Sequence, residues 1–410
     1  MDDSMREITI DRLGREGDGF AGRIRAAFTL PGERVRGPVA AGRMAPVEIL
    51  APSPERVAPV CRHFGACGGC ALQHGSDAFL AGWKEGTIAR ALAAQGLAAE
   101  IRPVLTSPPR SRRRAVFAGR RTRKGAVVGF HGRRSEELVA VSECHLVRPA
   151  ILAVLPALAV LTRAAASRLG EVRFTVTEGP AGLDIDGAGG RRPSGEAVAD
   201  FLGHADAADV ARLAWEGEPL AHRRPPLQPM GAAHVVPPPG AFLQATQEGA
   251  AALVDAVRDC LGPARRVADL FAGCGTFALP LAETAEVHAV EAEPAMLAAL
   301  DAGWRGAPGL RRVSTEARDL FRRPLLPAEL ARFDGVAFDP PRAGAEAQAQ
   351  ALATSGVPRI AAVSCNPASF ARDAAILVAG GYSLDWVRPV DQFRWSGHVE
   401  LAAQFTRSRP

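Results

Sequence analysis

Long apolar runs, which mark membrane-spanning and secreted chains, are missing from this sequence. No stretch approaches the ~20 uncharged apolar residues that a bilayer-spanning helix requires. The N-terminal stretch Met1–Arg12 carries charges throughout and has no apolar core of the kind found in a signal peptide. We therefore expect a cytoplasmic protein with no membrane segment.

Cysteine is scarce, and its seven residues form an odd number. An odd count without a secretion signal argues against a disulfide scaffold. Their thiols are then expected to act as metal ligands, as nucleophiles or as small core residues. The cysteines stand at Cys61, Cys67, Cys70, Cys144, Cys260, Cys274 and Cys365.

Length and charge indicate more than one domain and an uneven surface. The 410 residues correspond to two or three domains at about 150 residues each. The net charge of +5 conceals a segment, residues 101–150, that carries +9 and leaves −4 for the rest of the chain. Such a segment is typical of a phosphate-binding face, although a solvated surface rich in arginine would look the same.

Turn residues and hydrophobic patterns divide the chain into three domains, predicted over residues 1–52, 53–235 and 236–410. The first domain shows short strands with glycine turns, as in a small OB-like β-barrel. The second, a central α+β domain, combines a helix over about Ser76–Gln95, β-structure in the basic segment, then an Ala-rich helix, irregular chain and a proline-rich linker, Arg224–Gly240.

The third domain alternates strands with helices, which predicts a parallel sheet covered on both faces. The fold class is therefore α/β, with a doubly wound, Rossmann-like C-terminal domain. Its candidate strands are Val267–Phe271, Val287–Glu291, Val336–Asp339 and Ile360–Ser364.

A candidate cofactor loop follows the first of these strands, in Phe271–Thr276, and a helix over Phe277–Leu281 follows the loop. Glycine in such a loop lets the backbone approach a ligand closely. About 20 residues on, the next strand ends in Glu291, which can accept hydrogen bonds from two ribose hydroxyls. The loop lacks both the G-x-G-x-x-G of NAD enzymes and the Lys-Ser/Thr of ATP-binding loops. This combination favours S-adenosylmethionine, and the alternative is a purely structural strand–turn–helix.

Asp339 and Cys365 each follow a predicted strand, and ligands of open α/β sheets bind beyond the carboxyl ends of strands. A cysteine there is either a small core residue or a nucleophile, and the neighbouring cofactor loop favours the nucleophile. A thiolate that adds to C6 of uracil gives C5 carbanion character, after which a base must remove the C5 proton. Glu400 is the candidate base and His398 its rival, and both fall on a strand-like stretch where they would share a face.

These residues belong to a longer series of motifs in which the C-terminal domain resembles the RNA uracil-C5 methyltransferases. The motifs are Phe242-Leu243-Gln244, Asp269–Thr276, Val290-Glu291, Asp319-Leu320, Asp339–Arg342, Ser364–Pro367 and His398–Glu400. One position departs from the family, since Thr246 stands where the family usually has Asn. Residues 6–51, with Leu30–Glu33, resemble the TRAM domain, an RNA-binding β-barrel.

The resemblance implies specific roles for several residues. Cys365 would be the nucleophile and Glu400 the base that removes the C5 proton. The S-adenosylmethionine contacts would come from Gln244, Phe271, Thr276, Glu291, Asp319 and Asp339.

Four of the cysteines form a separate motif, Cys61-x5-Cys67-x2-Cys70 with the distant Cys144. Four thiolates suit zinc or an iron–sulfur cluster, and spacing alone does not choose between them. Members of the family that act on 23S ribosomal RNA carry the same pattern around a structural [4Fe–4S] cluster. The resemblance therefore implies this cluster and favours ribosomal RNA over tRNA as the RNA partner. We expect the protein to be a monomer.

Other readings of these motifs explain less. An adenine amino-methyltransferase has Asp-Pro-Pro followed by an aromatic residue, but here Arg342 follows and Cys365 would have no role. The Pro-Cys motif of cytosine-C5 enzymes is absent. A non-catalytic iron–sulfur protein that binds RNA would leave Cys365 and Glu400 unexplained.

Overall fold

Four β-sheets organise the computed structural model, which describes residues 5–205 and 208–407. The predicted end domains therefore begin and end with short segments, 1–4 and 408–410, that lie outside the described residues. In the described part, no helix combines the length and apolar character needed to cross a membrane.

The N-terminal sheet surrounds a small apolar core of Ile10, Ala26, Val35 and Met44. One strand holds a central position, because it pairs with three others in the sheet. That strand is β5 in the series β1 (Met5–Thr9), β2 (Arg12–Leu13), β3 (Asp18–Ala21), β4 (Ile24–Ala27), β5 (Arg34–Ala40), β6 (Arg43–Met44) and β7 (Glu48–Ala51). The predicted N-terminal β domain is thus present.

The next segment joins the C-terminal domain, although its sequence position suggested the central one. Helix α1 (Asp77–Ala93) begins after Ser76, whose hydroxyl accepts a hydrogen bond from the Phe79 N–H at 3.1 Å. Its buried residues Ile88 and Leu92 lie in the C-terminal core. The short strands β8 (Glu100–Ile101) and β9 (Leu105–Thr106) extend the C-terminal sheet.

The central domain is a seven-stranded sheet with helices packed against it. Its strand order is β12-β11-β10-β13-β14-β15-β16. The elements are β10 (Arg114–Arg121), β11 (Ala126–His131), β12 (Leu138–Ala140), α2 (Pro149–Ala153), α3 (Leu155–Ala165), β13 (Glu171–Gly179), β14 (Gly182–Ala188), α4 (Gly195–His204), β15 (Val210–Trp215) and β16 (Glu218–His222).

The expectation of irregular chain after the Ala-rich helix is wrong. That helix is α3, and it is followed by β13, on which Val172, Phe174 and Val176 alternate into the core and are fully buried. The proline-rich linker is also wrong. Within it, β17 (Gln228–Met230) and β18 (Ala233–Val235) form a hairpin that is held in place by burial against the C-terminal core.

The C-terminal sheet has the order β21-β20-β19-β22-β23-β25-β24-β8, with β9 also on β24. Its strands are β19 (Arg266–Leu270), β20 (Glu286–Glu291), β21 (Val313–Ala317), β22 (Gly335–Phe338), β23 (Arg359–Ser364), β24 (Ser383–Asp391) and β25 (Glu400–Thr406). The helices are α5 (Gln247–Leu261), α6 (Ala278–Leu281), α7 (Pro294–Arg305), α8 (Pro327–Leu330), α9 (Glu346–Ser355) and α10 (Pro367–Ala379). The strands from β21 to β23 are parallel, which confirms the α/β fold and the four candidate strands to within about one residue at each end.

Candidate active site

The residues predicted to act on ligands meet at one edge of the C-terminal sheet. Phe271 follows β19, Glu291 ends β20, Asp339 follows β22 and Cys365 follows β23. Because these strands are parallel, their carboxyl ends share an edge. Asp319 follows β21 at the same edge, two residues beyond the strand.

Glu400 reaches this edge from the opposite direction. It is the first residue of β25, which runs antiparallel to β23 with Leu401 opposite Ser364. Glu400 therefore lies beside Cys365, which follows Ser364. Glu400 is buried, with 3% of its surface exposed. The pKa of the Cys365 thiol is raised first by the burial of Cys365 and second by the Glu400 carboxylate.

The loop after β19 is shaped to receive a ligand. Phe271 and Gly273 both have positive φ, at 63° and 55°, and a Cβ on Gly273 would meet only Met296, at 3.8 Å. The Glu291 carboxylate accepts hydrogen bonds from the Gly273 N–H at 3.0 Å and the Ala292 N–H at 2.7 Å. The loop and the acid after β20 thus hold one another in place.

Two further residues of the predicted set flank this loop. The ring of Phe271 lies 5.4 Å, between centroids, from the ring of Phe321, which is half exposed. Asp319 accepts a hydrogen bond from the Phe321 N–H at 3.0 Å and so fixes the backbone that carries that ring. Thr276 lies partly buried at the end of the loop, just before α6.

Three acids converge beneath the loop. Asp269 is wholly buried on β19, and its carboxylate oxygens have no hydrogen-bond partner within the described residues. Burial raises its pKa well above the usual value, and the nearby Asp339 and Glu291 carboxylates raise it further. Burial also raises the pKa of Asp339 to about 7. A cationic ligand would relieve this crowding of buried carboxyl groups.

A chain of buried polar side chains links Asp339 to Glu400. Gln244 Nε2 donates to Asp339 Oδ2 at 3.3 Å, and Gln392 Nε2 donates to both Gln244 Oε1 and Glu400 Oε2. Burial, together with the charge of Asp339, raises the pKa of Glu400 to about 8, and the hydrogen bond from Gln392 opposes that rise. A carboxyl group whose pKa lies near neutrality can exchange a proton during a reaction.

Cys365 is half-buried in a turn that its neighbour stabilises. Asn366 caps α10 by accepting a hydrogen bond from the Ala368 N–H at 3.2 Å, and its Nδ2 donates to the Arg342 carbonyl at 2.9 Å. The thiol thus stands between this cap and Glu400. Burial raises its pKa, and Arg342 opposes that rise.

Comparisons with known proteins decide the family. No protein-family model matches the chain. Over 407 residues it is 46% identical to an uncharacterized RNA methyltransferase of Brucella suis, with 98% of each chain covered. It is 35% identical over 438 residues to the 23S rRNA (uracil(1939)-C(5))-methyltransferase RlmD of Chromohalobacter salexigens, which covers 98% of this chain and 90% of that protein. The chain belongs to the RNA methyltransferase family.

The fold of this methyltransferase also has a solved counterpart. The tRNA (uracil-54, C5)-methyltransferase of Pyrococcus abyssi, in complex with S-adenosyl-L-homocysteine, matches with a TM-score of 0.77 and 21% identity. The match covers 98% of this chain and 99% of that one, so the domain arrangement, as well as the C-terminal fold, is shared. The prediction of an RNA methyltransferase is therefore confirmed.

His398 does not share a strand face with Glu400 in the enzyme, contrary to the prediction. Strand β25 begins only at Glu400, and His398 lies in the preceding turn with its side chain exposed. A short turn over Phe393–Ser396, closed by a hydrogen bond from the Ser396 N–H to the Phe393 carbonyl, precedes the strand. Glu400 is thus buried beside Cys365, whereas His398 stays at the surface.

The RNA-binding role of the basic segment stays a prediction, but two of its arginines are engaged in contacts between domains. Arg113 is 6% exposed and donates to the Gln244 carbonyl at 3.1 Å, while Arg114 donates to the carbonyls of Gly240 and Ala241. Both guanidinium groups join the central domain to the C-terminal domain and do not face solvent. The exposed cations of the segment that have no side-chain partner among the described residues include Arg121, Arg123 and Lys124, at the turn between β10 and β11.

The four cysteines of the separate motif line one cavity of about 370 Å³ between the segment 61–70 and the central domain. All are free thiols. The Gly69 N–H donates to Cys67 Sγ and the Leu146 N–H to Cys144 Sγ, both at 3.4 Å. Within residues 5–205 and 208–407, no group of three or more His, Cys, Asp or Glu side chains is arranged to hold a metal ion.

Some residues of the site carried no sequence signal. Gln392 stands out only through its hydrogen bond to Gln244, 148 positions away in the chain. Asp269 was part of a sequence motif, but its burial without a hydrogen-bond partner among the described residues is visible only in the structure. Arg15, from the N-terminal domain, donates to Asn366 Oδ1 at 2.7 Å across 351 positions. Because no local pattern marks such contacts, only the structure could reveal them.

Proposed function

We propose that this enzyme transfers a methyl group from S-adenosylmethionine to C5 of a uridine in RNA, through a covalent bond between Cys365 Sγ and C6 of the base. The observation that supports it most is the placement of Cys365 beside the buried Glu400, at the sheet edge that also carries the ligand loop. A thiol and a carboxyl of raised pKa on adjacent strands suit addition to C6 and removal of a proton from C5.

The chemistry of the residues around the loop fits S-adenosylmethionine. This cofactor carries a positive sulfonium and a positive ammonium group, and Asp269 and Asp339 supply buried carboxyl groups whose charged forms a nearby cation would stabilise. Glu291 stands where an acid can accept hydrogen bonds from ribose hydroxyls. The rings of Phe271 and Phe321 offer apolar faces at the loop for a purine. When bound, the cofactor supplies an electrophilic methyl group.

Cys365 begins the reaction as a thiolate. Its sulfur forms a bond to C6 of the uracil, and the C5–C6 π pair moves onto C5 and O4, so that C5 can accept the methyl. Burial raises the pKa of this thiol, as do Glu400 and Asp339, and Arg342 partly opposes that rise in favour of the thiolate. The target base has to leave its stack to reach the thiol, which costs a few kcal/mol that RNA contacts elsewhere must offset.

Glu400 completes the cycle. After methyl transfer C5 carries both the methyl and its original hydrogen. The Glu400 carboxylate takes that hydrogen as a proton, the C–H pair restores the C5–C6 double bond, and the C6–S bond breaks to release the thiolate. A buried carboxyl with a pKa of about 8 is a stronger base than an exposed one and is therefore suited to this step.

We infer that the RNA is 23S ribosomal RNA. The relative RlmD of Chromohalobacter salexigens is named a 23S rRNA methyltransferase and matches nearly the whole chain, whereas the tRNA enzyme of Pyrococcus abyssi is similar in fold at 21% identity. Methylation of 23S rRNA fragments and of tRNA transcripts by the same preparation tests the assignment. Transfer of label to tRNA alone would overturn it.

We also propose that Cys61, Cys67, Cys70 and Cys144 bind one [4Fe–4S] cluster. The four thiols line one cavity, and in such a cluster each of the four irons binds one thiolate. Backbone N–H groups donate hydrogen bonds to two of the sulfurs. The cluster would tie the segment 61–70 to Cys144, so its role would be structural. Protein purified without oxygen should be brown with about four irons per chain, and colourless protein with one zinc would contradict this.

The covalent mechanism is tested with RNA that carries 5-fluorouridine at the target site. Fluorine cannot leave C5 as a cation, so the adduct should persist and survive denaturation. The wild-type enzyme should form this adduct, and Cys365→Ala should not, while it keeps S-adenosylmethionine affinity within a few-fold. Substantial turnover by Cys365→Ala would refute the proposed mechanism.

A second variant separates the base from its rival. Glu400→Gln should transfer the methyl to natural RNA and then stall as a methylated protein–RNA cross-link, because C5 cannot lose its proton. His398→Ala should turn over without such a cross-link. If the two variants behave the other way round, His398 is the base.

A further inference from the structure

A single buried glutamine connects the base to the rest of the active site. Gln392 is 2% exposed and follows β24 directly. Its amide nitrogen donates to Glu400 Oε2 and Gln244 Oε1, and its amide oxygen accepts from the Thr246 N–H at 3.2 Å. Every polar atom of this side chain is thus engaged inside the site.

The direction of this chain of hydrogen bonds is set at the Thr246 backbone. An N–H group can only donate, so the Gln392 oxygen must face Thr246 and its nitrogen must face Glu400 and Gln244. The Gln244 oxygen then accepts, which leaves the Gln244 nitrogen to donate to Asp339. Both carboxyl groups therefore receive N–H donors, which stabilise the charged, proton-accepting form.

We propose that Gln392 is a positioning residue that aims the Glu400 carboxylate at C5 and keeps it in its proton-accepting form. The inference rests on the proposed role of Glu400 as the base. It also gives Thr246 a function, as the donor that sets the orientation of Gln392, besides its capping of α5 through the Gly249 N–H at 2.9 Å.

The backbone around Gln392 is held by contacts that do not depend on its own amide. Lys84 on α1 forms a buried ion pair with Asp391, 2.5 Å between Nζ and Oδ1, and donates to the Phe393 carbonyl at 3.3 Å. The Ser107 N–H donates to the Asp391 carbonyl at 2.9 Å. Replacing the amide should therefore remove its hydrogen bonds and leave the turn in place.

Gln392→Met tests the proposal because methionine matches the length of glutamine and lacks the N–H donors. The titratable groups that face Glu400 are Asp339 after β22 and Cys365 after β23, and both remain in this variant. Loss of the donor should raise the pKa of Glu400 by about one unit. The proton-accepting fraction at pH 7 would then fall about tenfold.

The measurement is the single-turnover release of methylated RNA from the full-length protein between pH 6.5 and 9. For Gln392→Met we expect the release profile to move to higher pH by about one unit. The methylated cross-link should accumulate at pH 7 and clear at pH 9. An unchanged release profile would overturn the proposal.

Gln348→Leu is the matched control. Gln348 is equally buried, on α9, and among the described residues its side chain forms hydrogen bonds with the backbone of Leu325 alone. A fall in rate that is equal at every pH and the same in both variants would mean that Gln392 is merely structural, and would also overturn the proposal. Adduct formation by the wild type with 5-fluorouridine RNA is scored separately, so failure of the covalent mechanism is distinguishable from failure of this inference.

Discussion

Cys365 and Glu400 influence one another, and this coupling makes the pH dependence of the enzyme informative. The Glu400 carboxylate raises the pKa of the Cys365 thiol, and Asp339 acts in the same direction. Glu400 itself titrates near pH 8. Both groups must lose a proton before they can act, so the rate of methylation should rise with pH through this range.

Glu400→Gln separates the two titrations. Removing a negative charge next to the thiol stabilises the thiolate, so the Cys365 pKa should fall. Formation of the trapped adduct with 5-fluorouridine RNA needs the thiolate and the methyl donor but not the base. At saturating S-adenosylmethionine its profile against pH should therefore move to lower pH in this variant. The rate of cross-link formation from pH 6 to 9 measures the effect, and a profile that moves to higher pH would contradict the geometry.

The buried Asp269 carboxyl leads us to expect that protons are released when the cofactor binds. Its pKa is raised well above the usual value in the folded protein, and a cationic ligand that lowers this pKa should displace protons from the carboxyl group. Binding of S-adenosylmethionine should release up to about one proton and tighten as pH rises. Asp269→Asn should abolish this part of the release, as measured by calorimetry in buffers of different ionisation enthalpy. Equal proton release by Asp269→Asn and the wild type would assign the proton to another group.

The same carboxyl predicts how stability changes with pH. A group whose pKa is raised by folding holds a proton in the native state that the unfolded chain has lost, so its contribution to stability falls as pH rises above about 4. Asp269→Asn cannot ionise and should be more stable than the wild type at pH 8. The melting temperature, compared at pH 5 and pH 8, measures this, and a variant that melts lower at both values would contradict it.

At the scale of elements, the bounds of the strands that lead into the active site could be predicted from the sequence to within about one residue. The strands of the central sheet beyond the basic segment were not predicted. Strands β19, β20, β22 and β23 are mostly buried and read as short apolar runs that lead into the site residues Phe271, Glu291, Asp339 and Cys365. Charged residues in buried positions, Asp184 on β14 and Arg212 on β15, interrupt the apolar pattern of those strands, whereas the alternation of Val172, Phe174 and Val176 on β13 is itself a strand signal. The buried charge of Asp184 is paired with Arg212 on β15, whose Nε donates to Asp184 Oδ1 at 2.7 Å. The two residues are 28 positions apart, so the sequence gives no sign of this pairing.

Arg113 shows how such long-range pairing changes the meaning of a charge. In the sequence it is one of a run of cations, but in the structure it fastens the strand β10 to the backbone of Gln244. Arg113→Met should leave the Gln244 carbonyl and the Gln228 amide without their donor and cost about 1–3 kcal/mol. Thermal denaturation should show a lower melting temperature, accompanied by weaker S-adenosylmethionine binding. Arg123→Met, at an exposed turn, should stay within about 0.5 kcal/mol of the wild type.

At the scale of the whole molecule, the N-terminal domain forms part of the active-site mouth. Trp83 on α1 donates to the Leu13 carbonyl at 3.4 Å, and Leu13 packs with Leu72, Leu80 and Trp395 in one apolar cluster. Trp395 belongs to the turn that precedes Glu400. The small β domain is thus fixed against the loop that carries the proposed base, and its Arg15 extends to the residue next to Cys365.

Arg15 therefore predicts a link between RNA binding and catalysis. The side chain is exposed, so its hydrogen bond to Asn366 adds little stability, and Arg15→Ala should melt within about 1 kcal/mol of the wild type. If the guanidinium contacts an RNA phosphate, its loss should weaken RNA binding and reduce the slope of log affinity against log salt by about one. Affinity for S-adenosylmethionine should not change.

Arg23→Ala, at an exposed turn of the same domain, serves as the control, because it removes an equal charge without a contact at the mouth. An identical salt slope for Arg15→Ala and Arg23→Ala would show that the RNA passes the mouth without contacting Arg15. A lower slope confined to Arg15→Ala would place the RNA backbone between the N-terminal domain and Cys365.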